Sequence, residues 1–170
     1  HLGYLIALNS DGEIAFSKGD LKAAVYPRSC VKSVQASAMV RNGLKLEPRL
    51  LALVASSHSG SSKHQTGVLE ILKSAGLTEN NLQNMLDKPL GELERREWGD
   101  KAPTRLAMNC SGKHAAMLFT CVLNGWDTAT YLEPSHPLQV ACQQAIEDMT
   151  GESVQHVGTD GCGAPLMSTS

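Results

Sequence analysis

Three clusters of reactive side chains follow one another along the chain: Arg28-Ser29-Cys30-Val31-Lys32, Asn109-Cys110-Ser111-Gly112-Lys113-His114 and Asp160-Gly161-Cys162-Gly163. A serine hydroxyl attacks an amide only when a base takes its proton. A lysine three residues further along a helix lies on the same face, within reach of that hydroxyl. The spacing marks Ser29 as the nucleophile and Lys32 as the base of a serine amidohydrolase. Neutral Lys32 removes the Ser29 proton, an acyl-enzyme forms as ammonia leaves, and an activated water releases the acid. Arg28 is placed to favour the neutral amine by its charge, or to hold a substrate carboxylate by paired hydrogen bonds. Taken alone, Ser-x-x-Lys also suits an N-cap serine followed by an exposed lysine.

Cys110 and Lys113 stand three apart at the start of an expected helix, and Cys162 lies in a glycine loop able to approach them. Two thiolates suit zinc. Lysine binds a metal only as the neutral amine, so His114 is the conventional alternative, giving two Cys and one His with an open fourth position. Cys121 and Cys142 fall on helical faces and read as small buried hydrophobes. The loop Ser57-His58-Ser59-Gly60 offers hydroxyls and an imidazole for substrate binding or proton transfer, and its composition equally suits a turn. A Ser-His-Asp triad through His58 and Asp160 stays open at this level, although no Gly-x-Ser-x-Gly elbow accompanies it.

These groups need a scaffold. At 170 residues, 42% of them hydrophobic, the chain suits one soluble domain spanning 1–170. Fifteen basic against seventeen acidic residues give a net charge of -2, and no run of either sign advertises a nucleic-acid surface. The apolar run at 2–8 is too short to span a membrane and lacks a basic flank. A soluble, cytoplasmic protein is the expectation, and five cysteines, an odd number, fit reduced thiols. His1 as first residue suggests a trimmed or incomplete start.

The pattern predicts a β-hairpin from 5–8 and 14–16 about Asn9-Ser10-Asp11-Gly12, because Asp-Gly tolerates the positive φ of tight turns. A helix follows at 29–41, stopped by Asn42-Gly43. Residues 50–55 form a strand or short helix that delivers the polar loop 56–62. Val68, Leu69, Ile71, Leu72 and Ala75 recur at helical spacing before Gly76, and Leu82, Met85 and Leu86 suggest a second short helix after Thr78. The charged stretch 92–101 reads as a solvated connection. Residues 113–123 are apolar all round, a buried helix ended by Asn124-Gly125, and Pro137 opens another helix reaching Met149. A strand at 154–157 leads into the glycine loop. The class is mixed α/β, of the α+β kind.

In combination, Arg28-Ser29-x-x-Lys32 with Gln35, residues 55–60, 109–117, His136-Pro137 with Gln139, and 158–165 resemble the L-asparaginase II family of the Rhizobium etli type. The resemblance implies a fold like part of the serine β-lactamases and glutaminases, hydrolysis of L-asparagine, and a homodimer. It implies that Ser29 and Lys32 form the primary pair and that Ser57 belongs to a second pair. Cys110, Lys113 and Cys162 match the zinc ligands, one zinc per chain, which favours Lys113 over His114. Arg28 and Asp160 match residues near the substrate, and His58 and Ser59 from the polar loop join them as binding candidates. Ser33 stands where the family usually has proline, and Ser61 where it has glutamate. Family members are roughly twice this length. The expectation is therefore an N-terminal half whose second lysine lies beyond Ser170, weakly active by itself, with apolar helix surface exposed around 117–122. A penicillin-binding or β-lactamase-like acyl enzyme shares Ser-x-x-Lys but should also carry Ser-Asp-Asn and Lys-Thr-Gly, which are missing here. A non-catalytic metal- or ligand-binding module, or an inactive fragment acting through partners, is the alternative from another class.

Overall fold

The computed structural model describes residues 3–169. His1, read as a trimmed start, and Leu2, the head of the apolar run, lie outside the described residues. Among those described are six α-helices and four strands in two small antiparallel sheets, a mixed α+β architecture.

Asn9 builds the opening turn: its Oδ1 accepts the backbone N–H groups of Asp11 at 3.0 Å and Glu13 at 2.8 Å. Gly12 adopts φ +82°, as the Asp-Gly pair requires. β1 (Leu5–Leu8) and β2 (Ile14–Lys18) then pair, Leu5 opposite Lys18 and Ala7 opposite Phe16, with a register shift before Leu8 meets Ile14. Both strands are exposed along their whole length.

A 3₁₀ turn at Arg28–Val31 runs into α1 (Lys32–Arg41). Of residues 50–55, open between strand and helix from sequence, 50–54 belong to α2 (Pro48–Val54) and Ala55 is its C-cap; the proline at the first turn has no N–H to lose. Ser61 caps α3 (Ser62–Ser74) by accepting from the backbone of His64. α4 (Glu92–Trp98), α5 (Ser111–Asn124) and α6 (Pro137–Thr150) complete the helices. Left-handed Gly125 and Gly151 end the last two, where a side chain would be strained. β3 (His156–Thr159) and β4 (Pro165–Ser168) form the second hairpin, and Val25 bridges to Thr169 beside it.

α5 is the central rod, packed on α3 and α2, while α1 leans on α6. The core gathers Met39, Leu53, Val54, Ile71, Leu72, Met117, Leu118, Cys121 and Cys142. Each large aliphatic side chain buried there contributes roughly 1.5–3 kcal/mol. α2 and α5 approach closely because residue 112 is glycine: a Cβ there would sit 3.0 Å from the Leu53 carbonyl oxygen.

Three expectations need correction. The short helix about Leu82, Met85 and Leu86 is absent; Glu79–Asn81 makes one 3₁₀ turn, and Leu82 leaves it extended. Asn81 folds its side chain back onto Thr78, closing the turn, and Asp87 pairs with Thr104 in a lone bridge that keeps the following chain extended. Part of the expected connection at 92–101 is α4, with Glu92 and Glu94 in its first turn and Arg95 and Arg96 in its last, each sign matching the helix dipole. Finally, of the helix surface expected to be exposed around 117–122, Met117, Leu118 and Cys121 are buried and Val122 is exposed, with Leu123 beside it, while a larger group of exposed apolar side chains lies on the first hairpin at Leu5, Ile6, Leu8, Ile14 and Phe16. No helix among the described residues is long and apolar enough to cross a membrane.

Candidate functional site

Pro27 and the 3₁₀ turn set Ser29 just ahead of α1, with Arg28 at φ +52°, a left-handed conformation uncommon for a residue with a side chain. Lys32 is the first residue of α1 and only 3% exposed. Its Nζ donates to the Ser56 carbonyl at 2.8 Å and to Ser57 Oγ at 2.8 Å, and Ser57 Oγ in turn lies 3.2 Å from Ser29 Oγ. Helical spacing by itself brings Lys32 directly to Ser29. In the structure Ser57 stands between them, because the end of α2 delivers a carbonyl and a hydroxyl to the long, flexible amine. Hydroxyls both donate and accept, so Ser29, Ser57 and Lys32 form a path along which a proton can move in either direction.

The loop carrying Ser57 is held from several sides. Asn109 O accepts the His58 N–H at 3.1 Å, and Ser59 O accepts the Gly91 N–H at 2.9 Å. Gly60 adopts φ +84°, and a Cβ there would lie 2.7 Å from Ala107 O. His58 is buried, with Nε2 3.0 Å from Ser111 Oγ and Nδ1 accepting from Gly60 N at 3.2 Å. Ser111 Oγ donates to Leu106 O, so it receives its bond from His58 Nε2–H. Burial first, then the charges of His64 and Lys32, pull the His58 pKa down to about 4, which keeps the imidazole neutral.

Both His58 nitrogens are thus committed, to Ser111 and Gly60, and among the described residues neither bonds to Asp160. Ser59 donates to Glu94 Oε1 at 2.6 Å and lies 3.3 Å from His64 Nδ1. His58 and Ser59, expected at the substrate, stand outside the cavity lining and shape the loop.

Asp160 is fixed by its own glycine loop. Its Oδ1 accepts from Cys162 N at 2.8 Å and Ala164 N at 2.9 Å, and its Oδ2 accepts from Lys113 Nζ at 2.8 Å. The Lys113 side chain is 2% exposed, so this ion pair is largely shielded from water. Cys110, Cys162 and Met108 pack together. A hydrogen bond from the Cys162 thiol lowers the Cys110 pKa to about 6, against the opposing effect of burial and with help from Lys32 and Lys113. The same bond, with burial, pushes Cys162 up, so the pair favours a Cys110 thiolate beside a Cys162 thiol. His114 turns its Nδ1 to the Tyr131 hydroxyl at 2.8 Å, and burial holds it well below the usual histidine range.

Ser29, Lys32, Arg28 and Asp160 face one cavity of about 210 Å³ together with Cys110, Lys113 and Cys162. That volume falls below the ~300–1,000 Å³ of drug-sized pockets and suits a ligand of amino-acid size. Ser57 sits behind Ser29 and Lys32, outside the lining. Among the described residues no group of three or more His, Cys, Asp and Glu side chains gathers as for a metal. Cys110, inclined to ionise, packs with Cys162, and Lys113 lines the same cavity, a donor set whose chemistry fits zinc. Lys113 rather than His114 shares that wall.

Residue-by-residue reading gave no role to Gln35, Asp87 and Asn109, all of which line the cavity, or to Ser111, which orients His58. Gln35 had a signal, three residues past Lys32 on the same helical face. Asp87 had none, since it arrives on irregular chain. The sequence matches the L-asparaginase II family model over residues 1–170. No curated protein matches it.

Proposed function

Since the chain belongs to the L-asparaginase II family, we propose that it hydrolyses L-asparagine to L-aspartate and ammonia through an acyl-enzyme on Ser29. The observation that carries this reading is the hydrogen-bonded path from Ser29 through Ser57 to Lys32, opening on a cavity that also presents Arg28 and Asp160. The Ser29 proton passes to Ser57 as the Ser57 proton passes to neutral Lys32, and Ser29 Oγ adds to the carboxamide carbon. Protonated Lys32 returns its proton along the same path to the departing nitrogen, the C–N bond breaks and ammonia leaves. Water then attacks the ester, gives its proton to the path, and the Ser29 hydroxyl is restored with aspartate.

Arg28 is placed to grip the α-carboxylate with paired N–H donors. Asp160, held by two backbone amides whether or not Lys113 stays beside it, supplies negative charge for the α-ammonium. Cys110, Cys162 and Lys113 would hold one zinc per chain, with Lys113 donating as the neutral amine after leaving Asp160. When bound, the metal supplies a fixed positive charge that orients the substrate. The family resemblance further supports a homodimer, and five free cysteines suit a reducing, cytoplasmic setting.

The test is ammonia release from L-asparagine. Ser29→Ala abolishes it while circular dichroism stays native, and Lys32→Met lowers it by a factor of ~100 or more. Release at the wild-type rate by Ser29→Ala overturns the assignment.

A further inference from the structure

We propose that Gln35 reads the substrate at this same site, pairing its carboxamide with the carboxamide of asparagine and thereby separating substrate from product. The proposal rests on the amide-hydrolase reading above. Gln35 is 3% exposed, lies on α1 three residues past Lys32, and lines the cavity beside Ser29 and Lys32. Positions 29, 32 and 35 form one wall because three-residue steps return to the same side of a helix. Gln35 Oε1 is buried and has no hydrogen-bond partner among the described residues. Buried polar atoms nearly always have one, so an orphan in a cavity wall points to a group supplied from outside the chain. Asn84 Oδ1, His114 Nε2 and Gln139 Oε1 share the condition, but their residues do not line this cavity.

The chemistry of the missing partner follows from the amide itself. Its terminal torsion is broad and two-fold, so an unanchored carboxamide can turn either its oxygen or its nitrogen toward a ligand. A primary amide carries both N–H donors and a carbonyl acceptor, so two of them pair reciprocally through two N–H···O bonds. A carboxylate only accepts. It takes one bond from Gln35 Nε2 and sets its second oxygen against Gln35 Oε1, with no proton between them. The wall therefore holds the uncleaved amide and loosens its grip on the acid once the C–N bond is gone. Its position beside Ser29 and Lys32 puts this pairing at the reacting end of the ligand, away from the α-carboxylate assigned to Arg28.

Calorimetric titration of Ser29→Ala protein with L-asparagine and with L-aspartate, with and without Gln35→Met, tests the pairing without turnover. With Gln35 present, asparagine binds at least ~10-fold more tightly than aspartate, the worth of about one good hydrogen bond. Gln35→Met brings the two within ~3-fold, mainly by weakening asparagine, and the thermal midpoint holds or rises because methionine fills the space without an unpaired oxygen. Gln35→Leu is the second variant, read by the same ratio should the first fold poorly. An unchanged asparagine-to-aspartate ratio in the folded variant overturns the pairing, as does an equal loss of both ligands with a lowered midpoint. Ammonia release by Ser29→Ala during titration refutes the nucleophile instead, and the two failures are thus distinguishable.

Discussion

Replacing Ser57 by alanine should slow the enzyme nearly as much as removing its base. Lys32 Nζ lies 2.8 Å from Ser57 Oγ, and Ser57 Oγ lies 3.2 Å from Ser29 Oγ. Deleting the middle oxygen leaves Lys32 bonded to the Ser56 carbonyl alone and cuts the path between base and nucleophile. A positioned acid–base group is worth ~10²–10⁴ in rate, or ~3–5 kcal/mol at 1.36 kcal/mol per decade. Ser57→Ala should therefore lower kcat ~100-fold or more with little change in KM, since Ser57 is not part of the cavity lining. Ser57→Gly should recover part of that loss, because the space left admits a water able to relay the proton. The sharper measurement is the double variant with Lys32→Met: groups serving one path are not additive, so it should fall within ~3-fold of the slower single variant. Steady-state ammonia release at saturating L-asparagine supplies all the rates. A Ser57→Ala enzyme within threefold of wild type, or losses that multiply in the double variant, would refute the relay and return Lys32 to direct contact with Ser29.

Elemental analysis should find about one zinc per chain, lost on Cys162→Ala and retained better by His114→Ala than by Lys113→Ala; full metal in Lys113→Ala would exclude that amine as a ligand. Stability should fall between about pH 6.5 and pH 4, because the unfolded chain protonates His58 near 6.5 while the folded one resists to about 4. The loss amounts to ~3 kcal/mol at the acid end, is absent above pH 6.5, and is flattened by His58→Gln in thermal melts across that range; buried His114 adds to it with the same sign. Gly60→Ala should cost ~2 kcal/mol or more in chemical denaturation, since its Cβ meets the Ala107 oxygen at 2.7 Å and the Pro89 backbone at 2.9 Å from a left-handed φ; a cost below ~0.5 kcal/mol would show that the loop moves freely.

Elements whose signals are local were legible in the sequence. Pro137 at the first turn of α6, Gly125 and Gly151 past the ends of α5 and α6, and Asp11-Gly12 between the first strands each act within a few residues of their own position. α4 was missed because its dense charge leaves nothing buried, so no apolar periodicity reveals it. The helix assigned to Leu82, Met85 and Leu86 failed because Asn81 closed its own turn on Thr78, a side-chain competition that periodicity does not register. The three reactive clusters do share one cavity. Their pairings were beyond reach: Lys32 and Ser57 are 25 positions apart and Lys113 and Asp160 are 47 apart, so only packing of α1 and α5 against their neighbours decides which groups meet.

His58 ties the serine loop to the first turn of α5 through Ser111, one residue after Cys110 and two before Lys113. The two halves of the site are therefore mechanically continuous, and any two ligands they hold together must obey a reciprocal linkage. If a cation at the thiols tightens substrate binding by some factor, substrate must tighten the cation by that same factor. A chelator titration run with and without a non-hydrolysable amide would then report on the loop, although neither ligand touches His58.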